Sequence, residues 1–112
     1  MFSYSKQYIA EDDLNYIKKQ LLNNYLTQGP LIEKFENNLK KKFKSKYSIV
    51  VSSGTGALHL CGIALGWKKN DVVLLSSNTF VATANSVIYC NASIDLIDID
   101  KVTHNIDLND LE

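Results

Sequence analysis

Between Tyr47 and Asp98 short apolar runs alternate with helical patterns, and this alternation limits the fold more than any other feature of the chain. Tyr47–Val51 is a short β-branched run, Val72–Leu75 is a continuous apolar run, and Ile94–Ile97 reads as a third strand. Helical spacing fills the gaps. From Ala57 to about Leu65 it places Leu58, Cys61 and Leu65 on one face, and Val81–Tyr89 forms a second helix. The order β-α-β-α-β predicts an α/β fold with a mostly parallel sheet, right-handed crossovers and helices laid against it. Val72–Leu75 is apolar at every position, as a strand covered on both faces would be.

Two helices are expected ahead of this region. Leu14, Ile17, Leu21, Leu22 and Tyr25 form one stripe between Glu11 and Tyr25, and Asp12 or Asp13 can cap its start. The loop Leu26-Thr27-Gln28-Gly29-Pro30 follows, with Pro30 suited to the first turn of the next helix. That helix runs from about Pro30 to Phe43 and is expected to bury Ile32, Phe35, Leu39 and Phe43. Glu33 and Glu36 stand towards its start, and Lys40, Lys41, Lys42 and Lys44 towards its end, the order the helix dipole favours. The chain therefore divides into a helical segment, 1–46, and an α/β domain, 47–112. Asn105–Glu112 reads as the beginning of a further helix capped by Asp107, and so few strands leave sheet edges uncovered, so the domain is expected to be incomplete.

Composition excludes several classes of partner. Twelve basic and 12 acidic side chains cancel, leaving no field to draw in nucleic acid or an anionic membrane. The lysine cluster Lys40–Lys44 reads as a solvated helix end, because no aromatic platform interleaves it. No apolar run approaches the roughly 20 residues that span a bilayer, and the start lacks a signal-peptide pattern, so the cytoplasm is expected. Cys61 and Cys90 have no metal-ligand spacing and are expected to be buried free thiols. His59 and His104 lack a metal-spaced partner or a neighbouring nucleophile. Asp95, Asp98 and Asp100 read as solvent-facing carboxylates, so no metal site is expected.

The segment best suited to chemistry is Ser52-Ser53-Gly54-Thr55-Gly56-Ala57, between a strand and a helix. Small residues there leave backbone N–H groups accessible, hydroxyls add donors, and the helix start adds partial positive charge. Phosphate is the ligand such a turn suits. Packing alone also explains Gly and Ser in a tight turn. No lysine follows as a Walker loop requires, and Gly54-x-Gly56-x-x-His59 has only two of the three glycines of a dinucleotide site. A nicotinamide-dependent enzyme is thus the weaker alternative. The second segment is Asn78-Thr79-Phe80-Val81-Ala82-Thr83-Ala84-Asn85, whose Phe80 follows a strand and could lie against a flat heteroaromatic ring or simply pack in the core.

Taken together, these segments resemble a known family. Val50-Val51-Ser52-Ser53-Gly54-Thr55-Gly56-Ala57-Leu58-His59-Leu60, followed by Ala64-Leu65-Gly66, is similar to the Ser-Gly-Thr-Ala-Ala-Leu-His-Leu segment of the DegT/DnrJ family of pyridoxal-phosphate (PLP) sugar aminotransferases. Thr79–Asn85 resembles that family's Thr-Phe-Val-Ala-Thr-Ala-Asn block, and Ile97–Asp100, Asn105–Asp107 and Leu111-Glu112 resemble the stretch after it. Tyr4-Ser5-Lys6-Gln7 and Leu26–Pro30 resemble the branch that aminates UDP-4-keto-6-deoxy-N-acetylhexosamine, on the route to pseudaminic acid.

The resemblance implies the amino-terminal part of a fold-type I PLP-dependent transferase large domain, preceded by two helices. It implies that Gly54, Thr55 and Gly56 bind the cofactor phosphate and that Phe80 stacks on the pyridine ring. Tyr4 and the segment Asn24, Tyr25, Leu26 and Thr27 would border the sugar-nucleotide pocket. Gly56 departs from the Ala or Ser usual in the family, which leaves its N–H in place but loosens the helix start. The substrates implied are glutamate and a nucleotide-linked keto sugar, in a homodimer. The Schiff-base lysine and the acidic partner of the pyridine nitrogen lie downstream in relatives, beyond Glu112. No catalytic residue is therefore assigned, and these 112 residues are expected not to turn over alone. A non-catalytic or split-enzyme module that binds a phosphate ligand is the other alternative.

Overall fold

The computed structural model describes residues 5–111. The chain forms two compact units, one ending at Val50 and the other starting at Val51.

The first unit holds α1 (Glu11–Leu21) and α2 (Pro30–Phe43). Ala10, not Asp12 or Asp13, is the N-cap of α1. Asp13 instead reaches back from the first turn, and its carboxylate accepts the Ala10 N–H at 2.9 Å, one half of a capping box. The helix stops at Leu21, short of the expected Tyr25, because Asn23 offers the backbone a local alternative. Its N–H donates to the Gln20 carbonyl at 3.0 Å and its side-chain oxygen accepts the Asn24 N–H at 2.8 Å. Helix α2 has the expected bounds. Pro30 stands in its first turn, and Lys44 closes it in the left-handed region at φ 52°.

Ile32, Phe35 and Phe43 are exposed rather than buried, and Leu39 is half-buried. An apolar stripe is buried only where another layer covers it, and neither helix has a buried residue. Tyr47–Val51 is not a strand, contrary to expectation. A strand exists through its ladder, and no described segment pairs with this one. The Val50 N–H donates instead to the Glu36 carboxylate at 2.9 Å.

The second unit runs α3 (Gly54–Leu65), β1 (Val72–Ser76), α4 (Val81–Tyr89), β2 (Ser93–Ile97). The expected three strands are thus two among the described residues. They pair in parallel, from Val72 opposite Ser93 to Ser76 opposite Ile97, as a βαβ connection through a helix allows. Leu75, Val87 and Ala92 form the core, flanked by Trp67, Val73, Ala84 and Ile94. Val87 is fully buried, which contributes about 2 kcal/mol relative to exposure. Val73 and Ile94 are register partners facing this core, whereas Val72 and Leu74 are exposed. Strand β1 is therefore covered on one face, not on both, because α4 packs on one side and no described layer lies on the other.

Helix α3 differs from expectation in its buried face. Leu58, Cys61 and Leu65 are exposed. The packed face is small: Thr55, Gly56 and His59 are half-buried and Gly62 is buried. This face lets α3 lie close against α4. Both cysteines are free, but only Cys90 is buried, whereas Cys61 is exposed. Gly66 ends α3 at φ 79°, a conformation glycine adopts without steric cost.

Residues 105–111 are not the expected helix. Ile99 and Ile106 form an antiparallel bridge, and Asp107 serves a turn: its N–H donates to the Asp98 carbonyl, and its carboxylate accepts the Asn109 N–H, each at 2.9 Å. These bonds satisfy the backbone groups that a helix would otherwise have used. Among the described residues no helix is long and apolar enough to cross a membrane.

Candidate functional site

Ser53 sets the start of α3. Its backbone is extended (φ −155°, ψ 156°), its side-chain oxygen accepts the Gly56 N–H at 3.1 Å, and its carbonyl accepts the Ala57 N–H at 3.1 Å. The helix therefore begins at Gly54, ahead of the expected Ala57. A serine immediately before a helical pattern is a readable N-cap signal. Gly54 and Gly56, both poor helix formers, obscured it.

With the cap at Ser53, the N–H groups of Gly54, Thr55 and Gly56 are among the four an α-helix cannot pair internally. Ser53 satisfies Gly56. The N–H groups of Gly54 and Thr55, and the Thr55 hydroxyl, have no hydrogen-bond partner among the described residues. A Cβ placed on Gly54 would meet nothing within 4 Å, so the space beside Gly54 is open. No acidic residue occupies the first turn of α3, so no carboxylate competes for the partial positive charge there. A phosphate with several acceptor oxygens fits this donor set.

Phe80 is the N-cap residue of α4, just beyond the carboxyl end of β1. The residue is 74% exposed, so it is not the core residue an arbitrary phenylalanine would be. The loop is held by a bond from the Thr79 hydroxyl to the Thr83 hydroxyl at 2.9 Å. An apolar ring at the carboxyl end of a parallel strand is free to cover a flat heteroaromatic ligand. Gly54, Thr55 and Gly56 thus share one helical turn, and Phe80 opens the helix that packs on α3.

In the first unit, Asn24, Tyr25, Leu26 and Thr27 form part of the connection between α1 and α2. Tyr25 and Leu26, with Gln28, Gly29 and Pro30, line a cavity of about 260 Å³; Asn24 and Thr27 do not line it. Gly29 is seated against Tyr25, where a Cβ would stand 2.7 Å from the Tyr25 Cβ. Tyr4 lies outside the described residues.

His59 occupies the third position of the dinucleotide-like pattern and meets the Tyr89 ring edge-on at 5.4 Å. That place needs a small residue in a nicotinamide site. Among the described residues no group of three or more His, Cys, Asp or Glu side chains is arranged for a metal. Asp100 belongs to a turn: its carboxylate accepts the Thr103 hydroxyl at 2.7 Å, the Thr103 N–H at 2.6 Å and the Val102 N–H at 3.2 Å. The Thr103 hydroxyl leads in holding its pKa below the ordinary 3.8, aided by the two N–H groups against slight desolvation. Lys40 is half-buried and every other lysine is exposed.

The model of the DegT/DnrJ/EryC1/StrS aminotransferase family matches residues 7–112. The whole chain is 39% identical to UDP-4-amino-4,6-dideoxy-N-acetyl-beta-L-altrosamine transaminase of Campylobacter jejuni subsp. jejuni serotype O:23/36 (strain 81-176), of which it spans 29%. Over 97% of its length it is 34% identical to the spore coat polysaccharide biosynthesis protein SpsC of Bacillus subtilis (strain 168), of which it spans 28%. Its fold matches Spr1654 of Streptococcus pneumoniae in the PLP form with a TM-score of 0.89 at 23% identity, covering 98% of this chain and 28% of that one. The E. coli GDP-4-keto-6-deoxy-D-mannose-3-dehydratase with bound hydrated PLP matches with a TM-score of 0.84 at 26% identity, covering 96% of this chain and 29% of that one. The chain belongs to the DegT/DnrJ/EryC1/StrS aminotransferase family and spans less than a third of these relatives.

Proposed function

We propose that residues 47–112 supply part of a PLP site in an enzyme that moves an amino group from glutamate to UDP-4-keto-6-deoxy-N-acetylhexosamine. The observation that carries this reading is the pair of N–H groups on Gly54 and Thr55, without a partner among the described residues, at the start of α3, with open space beside Gly54. These donors and the Thr55 hydroxyl hold the phosphate, Gly56 completes the turn, and the exposed Phe80 ring covers one face of the pyridine. When bound, PLP supplies the electron sink for amino exchange.

Tyr4 and the Asn24–Thr27 segment border the sugar nucleotide, and the cavity beside Tyr25 and Leu26 supports that assignment. The 39% identity to the Campylobacter transaminase supports the substrate. The complete enzyme is proposed to act as a homodimer. The free thiols of Cys61 and Cys90 suit a reducing compartment, the cytoplasm.

By themselves these 112 residues do not turn over. Every lysine but the half-buried Lys40 stands in solvent, whereas the amine that carries the cofactor needs a desolvated pocket. Incubation with PLP, glutamate and the keto-sugar nucleotide should yield no product, and measurable turnover would overturn this part.

Phosphorus NMR of a PLP titration tests the binding itself. The phosphate resonance should shift saturably, Gly54→Val should abolish the shift by covering the donors, and NAD should give no saturable change. Equal binding by Gly54→Val would remove the basis of the assignment.

A further inference from the structure

We infer that Ser53 is a positioning residue for the cofactor phosphate, acting through the first turn of α3 and not by touching the phosphate. This rests on the reading of Gly54 and Thr55 as phosphate donors.

The first turn of α3 is weak by composition. Gly54 and Gly56 each lose more backbone freedom on entering a helix than any other residue would. The two N–H groups assigned to phosphate must nevertheless point outward in a fixed geometry, because a hydrogen bond weakens steeply once it bends. Ser53 is the side chain that fixes them. Its Oγ accepts the Gly56 N–H at 3.1 Å and its carbonyl accepts the Ala57 N–H at 3.1 Å, so the next two donors after Gly54 and Thr55 are already tied to one residue.

Two consequences follow. The turn is ordered before an anion arrives, which lowers the entropy that binding would otherwise cost. The donors are also divided: Ser53 takes Gly56, leaving Gly54 and Thr55 for the ligand. A family relative with Ala at the Gly56 position would lean less on this cap, since Ala itself favours the helix. Here the glycine makes the turn depend on Ser53.

Four proteins separate this role from a merely structural one: wild type, Ser53→Ala, Ser53→Thr and Ser53→Asp. Each is measured for PLP affinity by phosphorus NMR and for hydrogen exchange at the Gly56 amide without ligand. Ser53→Ala should speed Gly56 exchange and weaken PLP about fivefold, the factor a lost cap of ordinary strength carries. Ser53→Thr should restore both. Ser53→Asp should keep Gly56 protected, because Asp caps well, yet bind PLP more weakly than Ser53→Ala because its charge repels the phosphate.

Faster Gly56 exchange with unchanged PLP affinity in Ser53→Ala would overturn the inference while leaving the phosphate assignment intact. So would Ser53→Asp binding as tightly as wild type. Absence of PLP binding by wild type would overturn both together.

Discussion

The Cβ that Gly62 lacks would stand 2.9 Å from the sulfur of Cys90. It would also lie 2.6 Å from Cε3 of the Trp67 ring, so glycine is what lets α3 settle against the end of α4. Ala would gain about 1 kcal/mol of helix propensity at Gly62 but would force the ring and the sulfur apart. Overpacking of this kind costs about 1 to 3 kcal/mol, and it wins because the obstructing atoms include a rigid indole. Gly62→Ala should lower the denaturant midpoint with little change in slope.

Gly56→Ala should do the opposite. A Cβ there meets the Ser53 Oγ at 3.5 Å and Val51 carbons at 3.9 Å, all ordinary contacts. Ala should therefore add up to about 1 kcal/mol of stability through propensity alone. A raised denaturation midpoint is the expected result, and a lowered one would show that the first turn of α3 has no room for the added methyl group.

How much of this was legible beforehand depended on how local each signal was. The bounds of α2 and α4 follow from Pro30 and from uninterrupted helical spacing at Val81–Tyr89, and both were readable. The buried faces were not. Leu58, Cys61 and Leu65 form a good apolar stripe, yet α3 packs through Gly62, because close approach rewarded a missing side chain over a large one. Tyr47–Val51 has strand chemistry, but a ladder needs a partner that no local pattern supplies. At the candidate site, the small residues of the turn and Phe80 were readable, while the occupation of the Gly56 N–H by Ser53 required coordinates.

Phe80→Ala should separate binding from folding. The ring is largely exposed, so its removal should change stability by no more than about 0.5 kcal/mol. If the ring covers the pyridine, PLP affinity should fall about tenfold, in keeping with the worth of an aromatic contact plus its buried area. A variant that binds PLP as wild type does would remove Phe80 from the site.

Acid should loosen the turn around Asp100. Its folded pKa lies below the unfolded value, so its contribution is complete above about 3.8 and is lost as pH falls through the lower folded value. Amide exchange at Thr103 and Val102, followed downward from pH 5, should accelerate only below that range. Asp100→Asn should remove the pH step while keeping part of the turn, since an amide oxygen still accepts hydrogen bonds.

If two backbone donors at the start of α3 receive a phosphate, amide NMR during PLP addition reads those donors one by one. The Gly54 and Thr55 amide protons should move downfield and saturate together, while Gly56, held by the Ser53 oxygen, moves little. Saturable shifts elsewhere with Gly54 and Thr55 unmoved would show that the phosphate is not held at the start of α3.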